Sequence, residues 1–248
     1  MFSSGFLILH RTVFFLIMSN IAFRLPFSFD VEKMKSDLAL CLDAQWPKHF
    51  NTRDYSGEWT SVSLRSASGK VNDISSVPDA QGYRDTPLMP LCAYLREVVA
   101  QFECEKETVR LLRLNAGSVI HEHRDPGAGY ADGFFRIHIP VTSNAETKFK
   151  VGGELLVMEP GQCWYADFSL PHSVRNDGAT DRIHLVIDCK RNEWSDALFG
   201  KCGYDFAEEE KKKRPDETTL RRMIEELQRQ GTPAALQLMA QLEQQLGE

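Results

Sequence analysis

The sequence has no C-x-x-C pair, no surplus of positive charge, no internal repeat and no uninterrupted apolar run of membrane-spanning length. Each absence removes a class of function. Cys41, Cys92, Cys104, Cys163, Cys189 and Cys202 are spread too thinly for a zinc knuckle or a thioredoxin-like site, and they read as reduced thiols of a cytoplasmic protein. With 29 Lys+Arg against 35 Asp+Glu the net charge is −6, which excludes a broad nucleic-acid-binding surface. The apolar stretch over residues 5–23 is interrupted by His10 and Arg11, falls short of the about 20 residues a spanning helix needs, and precedes no A-x-A-like cleavage site. We read Met18 as the start of the protein and residues 1–24 as a mis-called or signal-like segment. A signal or membrane anchor through residues 5–23 is the rival reading.

What remains is an ordinary globular composition, 42% apolar and 26% charged, in 248 residues, enough for a full core without staples. Residues 31–45 read as an amphipathic helix through Met34, Leu38 and Leu42, and residues 88–102 as a second. WTSVSL at 59–64 reads as a strand. From Thr108 the text changes to short β-like runs broken by Asn, Gly and Pro: TVRLLRL, SVIHEH, FFRIHIPV, TKFKV, ELLVME, QCWYAD, HSVRN and RIHLVIDC. That spacing predicts a mainly β fold with flanking helices, a double-stranded β-helix (jelly-roll, cupin-like) barrel over residues 25–204. After Tyr204 the chain becomes charge-dense. Pro215 marks a helix start, and Gly231-Thr232-Pro233 separates two apolar sets, so residues 205–248 read as a helical hairpin for packing or oligomerisation.

Five of the seven histidines fall between positions 121 and 184. Strand alternation puts Arg136 and His138 on one face of their strand, and Arg182 and His184 on one face of theirs. A solvated face would carry Lys, Glu, Thr and Ser instead, so these groups are expected to converge inside the barrel mouth. The sharpest local signal is His123-Arg124-Asp125, followed at a distance by His172. Two-residue spacing on a strand sets an imidazole and a carboxylate side by side, about 7 Å apart at Cα. A histidine from a distant strand then closes a facial triangle with open positions, the arrangement that suits non-haem Fe(II) oxygen chemistry. Arg182 offers a guanidinium that could pair bidentately with the carboxylate of a cosubstrate. His121 competes with His123 as ligand but lies four residues from the carboxylate, and reads better as a polar residue near the mouth. His184 reads as second shell or core, and Trp164 and Tyr165 as aromatic core. The glycine-rich Pro126–Gly133 insert is placed to act as a lid.

The segments LNAGSVIHEHRD, FFRIHIPV, GQCWYAD and PHSVRNDGATDRIHLVID together resemble the Fe(II)- and 2-oxoglutarate-dependent aspartyl/asparaginyl β-hydroxylase family, whose bacterial relatives include hydroxylases of free amino acids such as proline. The resemblance covers residues 108–194. It implies that His123 and His172 bind iron and that Asp125 completes the triad; the animal β-hydroxylase lacks an acidic ligand at that position. It further implies that Arg182 anchors the distal carboxylate of 2-oxoglutarate, that His138 also contacts this cosubstrate, and that Arg136 meets a substrate carboxylate. The expected activity is hydroxylation of an unactivated C–H by O2, with release of succinate and CO2. The substrate would be an aspartyl or asparaginyl residue or a free amino-acid-like molecule, and the want of a peptide-binding repeat domain points toward a small molecule or short peptide. A cupin-like metal-binding module without oxygenase activity is the alternative, though it has no use for Arg182 and His138. A scaffold acting through the C-terminal hairpin is a third reading. No nucleic-acid or membrane partner is expected.

Overall fold

The strands foreseen from alternation all form, and three more join them. The computed structural model describes residues 20–76, 82–213 and 215–246. The reading of Met18 as the start therefore falls outside the described residues. In chain order the elements are β1 (Ala22–Ser28), α1 (Val31–Cys41), β2 (Tyr55–Ser56), β3 (Trp59–Ser66), β4 (Arg84–Asp85), α2 (Ala93–Ala100), β5 (Lys106–Leu114) and β6 (Val119–His123). There follow β7 (Phe134–Thr142), β8 (Thr147–Val151), β9 (Glu154–Leu156), β10 (Gln162–Ala166), β11 (His172–Asn176), β12 (Arg182–Lys190) and α3 (Glu193–Lys201). The last three helices are α4 (Phe206–Lys213), α5 (Glu217–Gln230) and α6 (Pro233–Leu246). The chain divides into two compact units, one ending at Tyr204 and one running from Asp205.

The first unit is a two-sheet jelly roll. A seven-stranded sheet runs β1-β10-β7-β12-β5-β3-β4, and a five-stranded sheet runs β2-β6-β11-β8-β9; every pairing is antiparallel. From β6 onward the chain passes back and forth between the sheets, which is what the short strands and frequent turns of the sequence require. The sheets are open at their edges and do not close into one hydrogen-bonded ring. Leu112, Ile120, Phe149, Val151, Phe168, Val174 and Val186 belong to a buried cluster that draws on strands of both sheets.

Central strand β12 is covered on both faces, since every residue from Arg182 to Cys189 is buried. Its even positions (Arg182, His184, Val186, Asp188) share a face, and its odd positions (Ile183, Leu185, Ile187, Cys189) the other. Phe199 of α3 packs on Phe23 of β1, Phe135 of β7 and Tyr165 of β10, with ring centroids 5.1, 5.3 and 4.8 Å away. The larger sheet is thus sealed on that side by aromatic contacts that favour burial and fixed geometry.

Boundaries differ from the sequence reading for local reasons. Helix α1 starts where expected, because the Asp30 carboxylate caps it by accepting from the N–H groups of Glu32 and Lys33 at 3.0 and 3.1 Å. It ends at Cys41 rather than at residue 45. Helix α2 begins at Ala93 rather than at 88, with Pro87 and Pro90 in the turns that precede it. Strand β1 was not foreseen. It includes residues 22–24, pairs with β10, and accommodates Pro26 at a sheet edge beside an irregularity in register. The second unit contains α4 in addition to the expected hairpin; α5 is capped by Asp216, accepting from Thr219 N–H at 2.8 Å, and ends in left-handed Gly231. Among the described residues no helix is long and apolar enough to cross a membrane.

Candidate metal centre

Pairing of β6 with β11 sets His123 directly opposite His172, and the imidazole centroids stand 4.2 Å apart. Asp125 lies just past the end of β6, where its N–H donates to the Phe168 carbonyl at 2.9 Å. One ligand atom from each of His123, Asp125 and His172 falls within 4.8 Å of the others. The tautomers follow from their partners. Nδ1 of His123 meets the His121 carbonyl at 2.8 Å, and Nδ1 of His172 meets the Leu170 carbonyl at 3.0 Å. A carbonyl only accepts, so each Nδ1 carries the proton and each Nε2 keeps its lone pair for a metal. Asp125 divides its carboxylate: Oδ2 accepts from Arg136 Nη1 at 2.7 Å, while Oδ1 lies 3.7 Å from His123 Nε2. Burial would raise the Asp125 carboxyl, but the Arg136 guanidinium bonded to it holds it below the ordinary carboxylate value. Burial also lowers His172, keeping it neutral. Two neutral imidazole nitrogens and one anionic oxygen on one side of a site suit a divalent first-row metal with open positions.

Deeper between the sheets lies a second polar group. Arg182 is almost wholly buried, and its Nη2 donates to His184 Nδ1 at 2.8 Å. His138 Nδ1 reaches the same His184 nitrogen at 3.3 Å. The Arg182 guanidinium stands 5.2 Å over the Phe149 ring, and His138 packs against Phe168, which in turn touches His172. Arg182 Nε and His138 Nε2 are buried with no hydrogen-bond partner. Loss of water lowers Arg182 to about 9, so it remains cationic at neutral pH, and burial followed by Arg182 itself pushes His138 and His184 well below their ordinary value. A buried cation without a carboxylate beside it, its Nε donor still unpartnered, suits an anion. The residues present thus fit both an iron and a dicarboxylate cosubstrate.

A cleft of about 690 Å³ opens over the triad, lined among others by His49, Trp59, Arg110, Asp125 and Arg136. Arg136 does not project freely into it: Nε and Nη2 bind Asp188 at 2.6 and 3.3 Å, and Nη1 binds Asp125. Arg110 and Asp188 were missed in the sequence, although the T-x-R alternation of Thr108 and Arg110 was a readable signal. His184, left without a defined role, turns out to hold Arg182 and His138 together. His121 is not among the ligands; its Nε2 bonds Ser56 Oγ at 2.8 Å. The Pro126–Gly133 insert, expected to act as a lid, is anchored at Tyr130. Tyr130 is fully buried, its ring stacks on Phe199 at 3.9 Å, and its hydroxyl is hydrogen-bonded to Asp196 Oδ1 and Ser195 Oγ at 2.8 and 2.9 Å. The insert is a wall of the cleft.

Fold and site together define a jelly-roll protein with an open two-histidine, one-carboxylate centre. The Aspartyl/Asparaginyl beta-hydroxylase family model matches residues 29–192, and the chain belongs to that family. It is 27% identical over 174 residues to the L-proline cis-4-hydroxylase of Rhizobium meliloti (strain 1021), an alignment covering 69% of this chain and 61% of that protein's length. Among solved structures it is similar to an oxidoreductase of the 2OG-Fe(II) oxygenase family from Burkholderia pseudomallei, at 15% identity and a TM-score of 0.48, covering 69% of this chain and 86% of that one. It is also similar to HygX from Streptomyces hygroscopicus with nickel and 2-oxoglutarate bound, at 10% identity and a TM-score of 0.45, covering 69% and 83%.

Proposed function

We propose that the protein is an Fe(II)- and 2-oxoglutarate-dependent dioxygenase that hydroxylates an unactivated C–H of a free amino acid or a short peptide, releasing succinate and CO2. Family membership supports the reaction class, and one observation carries the cosubstrate: the buried Arg182, cationic and without a carboxylate, a short aromatic span from an open His-Asp-His triad. Iron would be held by His123 Nε2, His172 Nε2 and Asp125 Oδ1. Arg182 would hold the far carboxylate of 2-oxoglutarate, with His138 packed beside it. When bound, iron with 2-oxoglutarate and O2 supplies an oxidant strong enough to replace an aliphatic C–H by C–OH.

The remaining work belongs to the chain itself. Arg182 orients the cosubstrate by its fixed guanidinium fork. Phe149 and Phe168 keep water from the inner chamber, which strengthens every charge interaction there. Arg136, at the cleft floor, is assigned to the substrate carboxylate, using the donor hydrogens that Asp188 and Asp125 leave free. The stretch around the anchored Tyr130, which lines the cleft through Pro126, Gly127 and Ala128, limits how the substrate can lie. The proline hydroxylase relative supports a free amino acid as substrate.

Replacing His172 by Ala is expected to abolish 2-oxoglutarate turnover, read as succinate release across a panel of free amino acids and Asp- or Asn-containing peptides. Near-normal release by that variant would sink the assignment.

A further inference from the structure

Asp188 lies near the end of β12, between the two strands that carry its partners. β7 brings Arg136, its register partner, and β5 brings Arg110 and Thr108. Its carboxylate is fully buried. Oδ1 accepts from Arg136 Nε at 2.6 Å; Oδ2 accepts from Thr108 Oγ1 at 2.6 Å, Arg110 Nη2 at 2.7 Å and Arg136 Nη2 at 3.3 Å. Three donors crowd Oδ2 and one meets Oδ1, and the side chain has no exposed surface. Asp188 is therefore closed to substrate and metal alike. Its reach is indirect: the guanidinium it grips along one edge presents its other edge, Nη1, to Asp125 Oδ2 at 2.7 Å. Arg110 steadies the assembly from behind, donating Nη1 to the Ile74 carbonyl at 2.9 Å.

We propose that Asp188 is a positioning residue of the metal centre. It fixes the plane of Arg136, Arg136 takes Oδ2 of Asp125, and Oδ1 is left as the single oxygen facing His123 and His172. The proposal rests on the hydroxylase reading above. Two consequences follow from removing its charge. Arg136 loses the contact that sets its plane, so Asp125 is free to turn either oxygen toward the metal. The floor also gains a net positive charge beside a site meant for a dication. Both weaken metal binding. Loss of a direct partner of a metal ligand typically costs about 10–100-fold in affinity, and Asp188, acting through Arg136, sits at or below the low end of that range.

The test is calorimetry of Mn(II) binding to the metal-free full-length protein under anaerobic conditions, for wild type, Asp188→Asn and Thr108→Val. The 2-oxoglutarate affinity at saturating Mn(II) and a melting curve are measured alongside. Asp188→Asn is expected to bind Mn(II) up to about 10-fold more weakly, with 2-oxoglutarate affinity kept, because Arg182 and not Asp188 would hold that ligand. Thr108→Val removes one donor to Asp188 without adding charge, and is expected to give a smaller loss in the same direction. Mn(II) affinity equal to wild type in both variants overturns the proposal and leaves the hydroxylase reading standing. A parallel fall of melting temperature, Mn(II) affinity and 2-oxoglutarate affinity overturns it in favour of a merely structural role. Should Asp188→Asn fail to fold, the Thr108→Val result alone decides in the same two directions. A wild-type protein that binds neither Mn(II) nor 2-oxoglutarate removes the hydroxylase reading, and the proposal with it.

Discussion

Arg182 is a desolvated guanidinium whose Nε has no partner, an arrangement that costs the ligand-free protein stability. A guanidinium stripped of water and given only a neutral imidazole nitrogen is less favourable than an apolar side chain of similar length in the same place. The substitution Arg182→Met therefore separates function from stability. A charge-assisted hydrogen bond contributes roughly 1.5–3 kcal/mol, so losing a bidentate pair is expected to weaken 2-oxoglutarate binding by at least about 100-fold. The melting temperature of the ligand-free variant should be no lower than wild type. Unchanged 2-oxoglutarate affinity with a depressed melting temperature would make Arg182 a structural residue instead. This group was legible because R-x-H alternates on a single strand. The Arg136–Asp188–Arg110 assembly was not, since Arg110 and Asp188 stand 78 positions apart and meet only because β5 pairs with β12. Strand pairing is the property a single sequence conceals best.

At the scale of elements, alternation exposed the strands from β5 to β12 as well as β3, because each keeps one face apolar. β1 was hidden by Pro26 and by its continuity with the apolar N-terminal run. α3 was hidden by a weak apolar stripe, although Asn192 and Ser195 spelled out its capping box, with Asn192 Oδ1 accepting from Ser195 N–H at 3.0 Å. The metal triad depends on these elements through a single register. His123 faces His172 only in the observed pairing of β6 with β11, and a slip by one residue would turn one imidazole to the opposite face. The Pro126–Gly133 wall depends on α3 in the same way. Arg191 donates Nη1 to the Tyr130 carbonyl at 3.2 Å, and the Tyr130 hydroxyl joins the first turn of α3. Tyr130→Phe keeps the stacked ring and deletes the hydroxyl, leaving buried Ser195 and half-exposed Asp196 each one bond short. It is expected to destabilise by about 1–2 kcal/mol and to raise the KM for the hydroxylated substrate while the KM for 2-oxoglutarate stays put. Steady-state kinetics with each substrate varied in turn checks it; equal rises in both constants would mean that the wall does not border the substrate.

Across the whole jelly roll, burial holds three histidines neutral. His138 and His184 are fully enclosed, with burial as the main cause of their lowered values, and His49, stacked 3.6 Å from the Trp59 ring, is pushed down to about 3 by burial and by Arg110. Each is neutral in the folded protein and takes up a proton on unfolding once the pH drops below the ordinary histidine value of about 6.5. The unfolded state then binds more protons than the folded one, so stability falls as pH falls, by up to about 1.4 kcal/mol per pH unit for each such group. The low-lying carboxylates act in the same direction but lower down: Asp125 and Asp188 contribute stability that is complete above about pH 4 and is lost only below it. Between pH 6.5 and pH 4 the histidines therefore govern the slope. For a protein of this size each kcal/mol moves the melting temperature by about 2–4 °C. The metal-free protein is expected to hold its melting temperature from pH 8 to pH 7 and to lose it steeply below pH 6.5. Scanning calorimetry of the chelator-treated protein across that range measures the slope directly, and a melting temperature that stays level down to pH 5 would mean that these imidazoles titrate as they do in water.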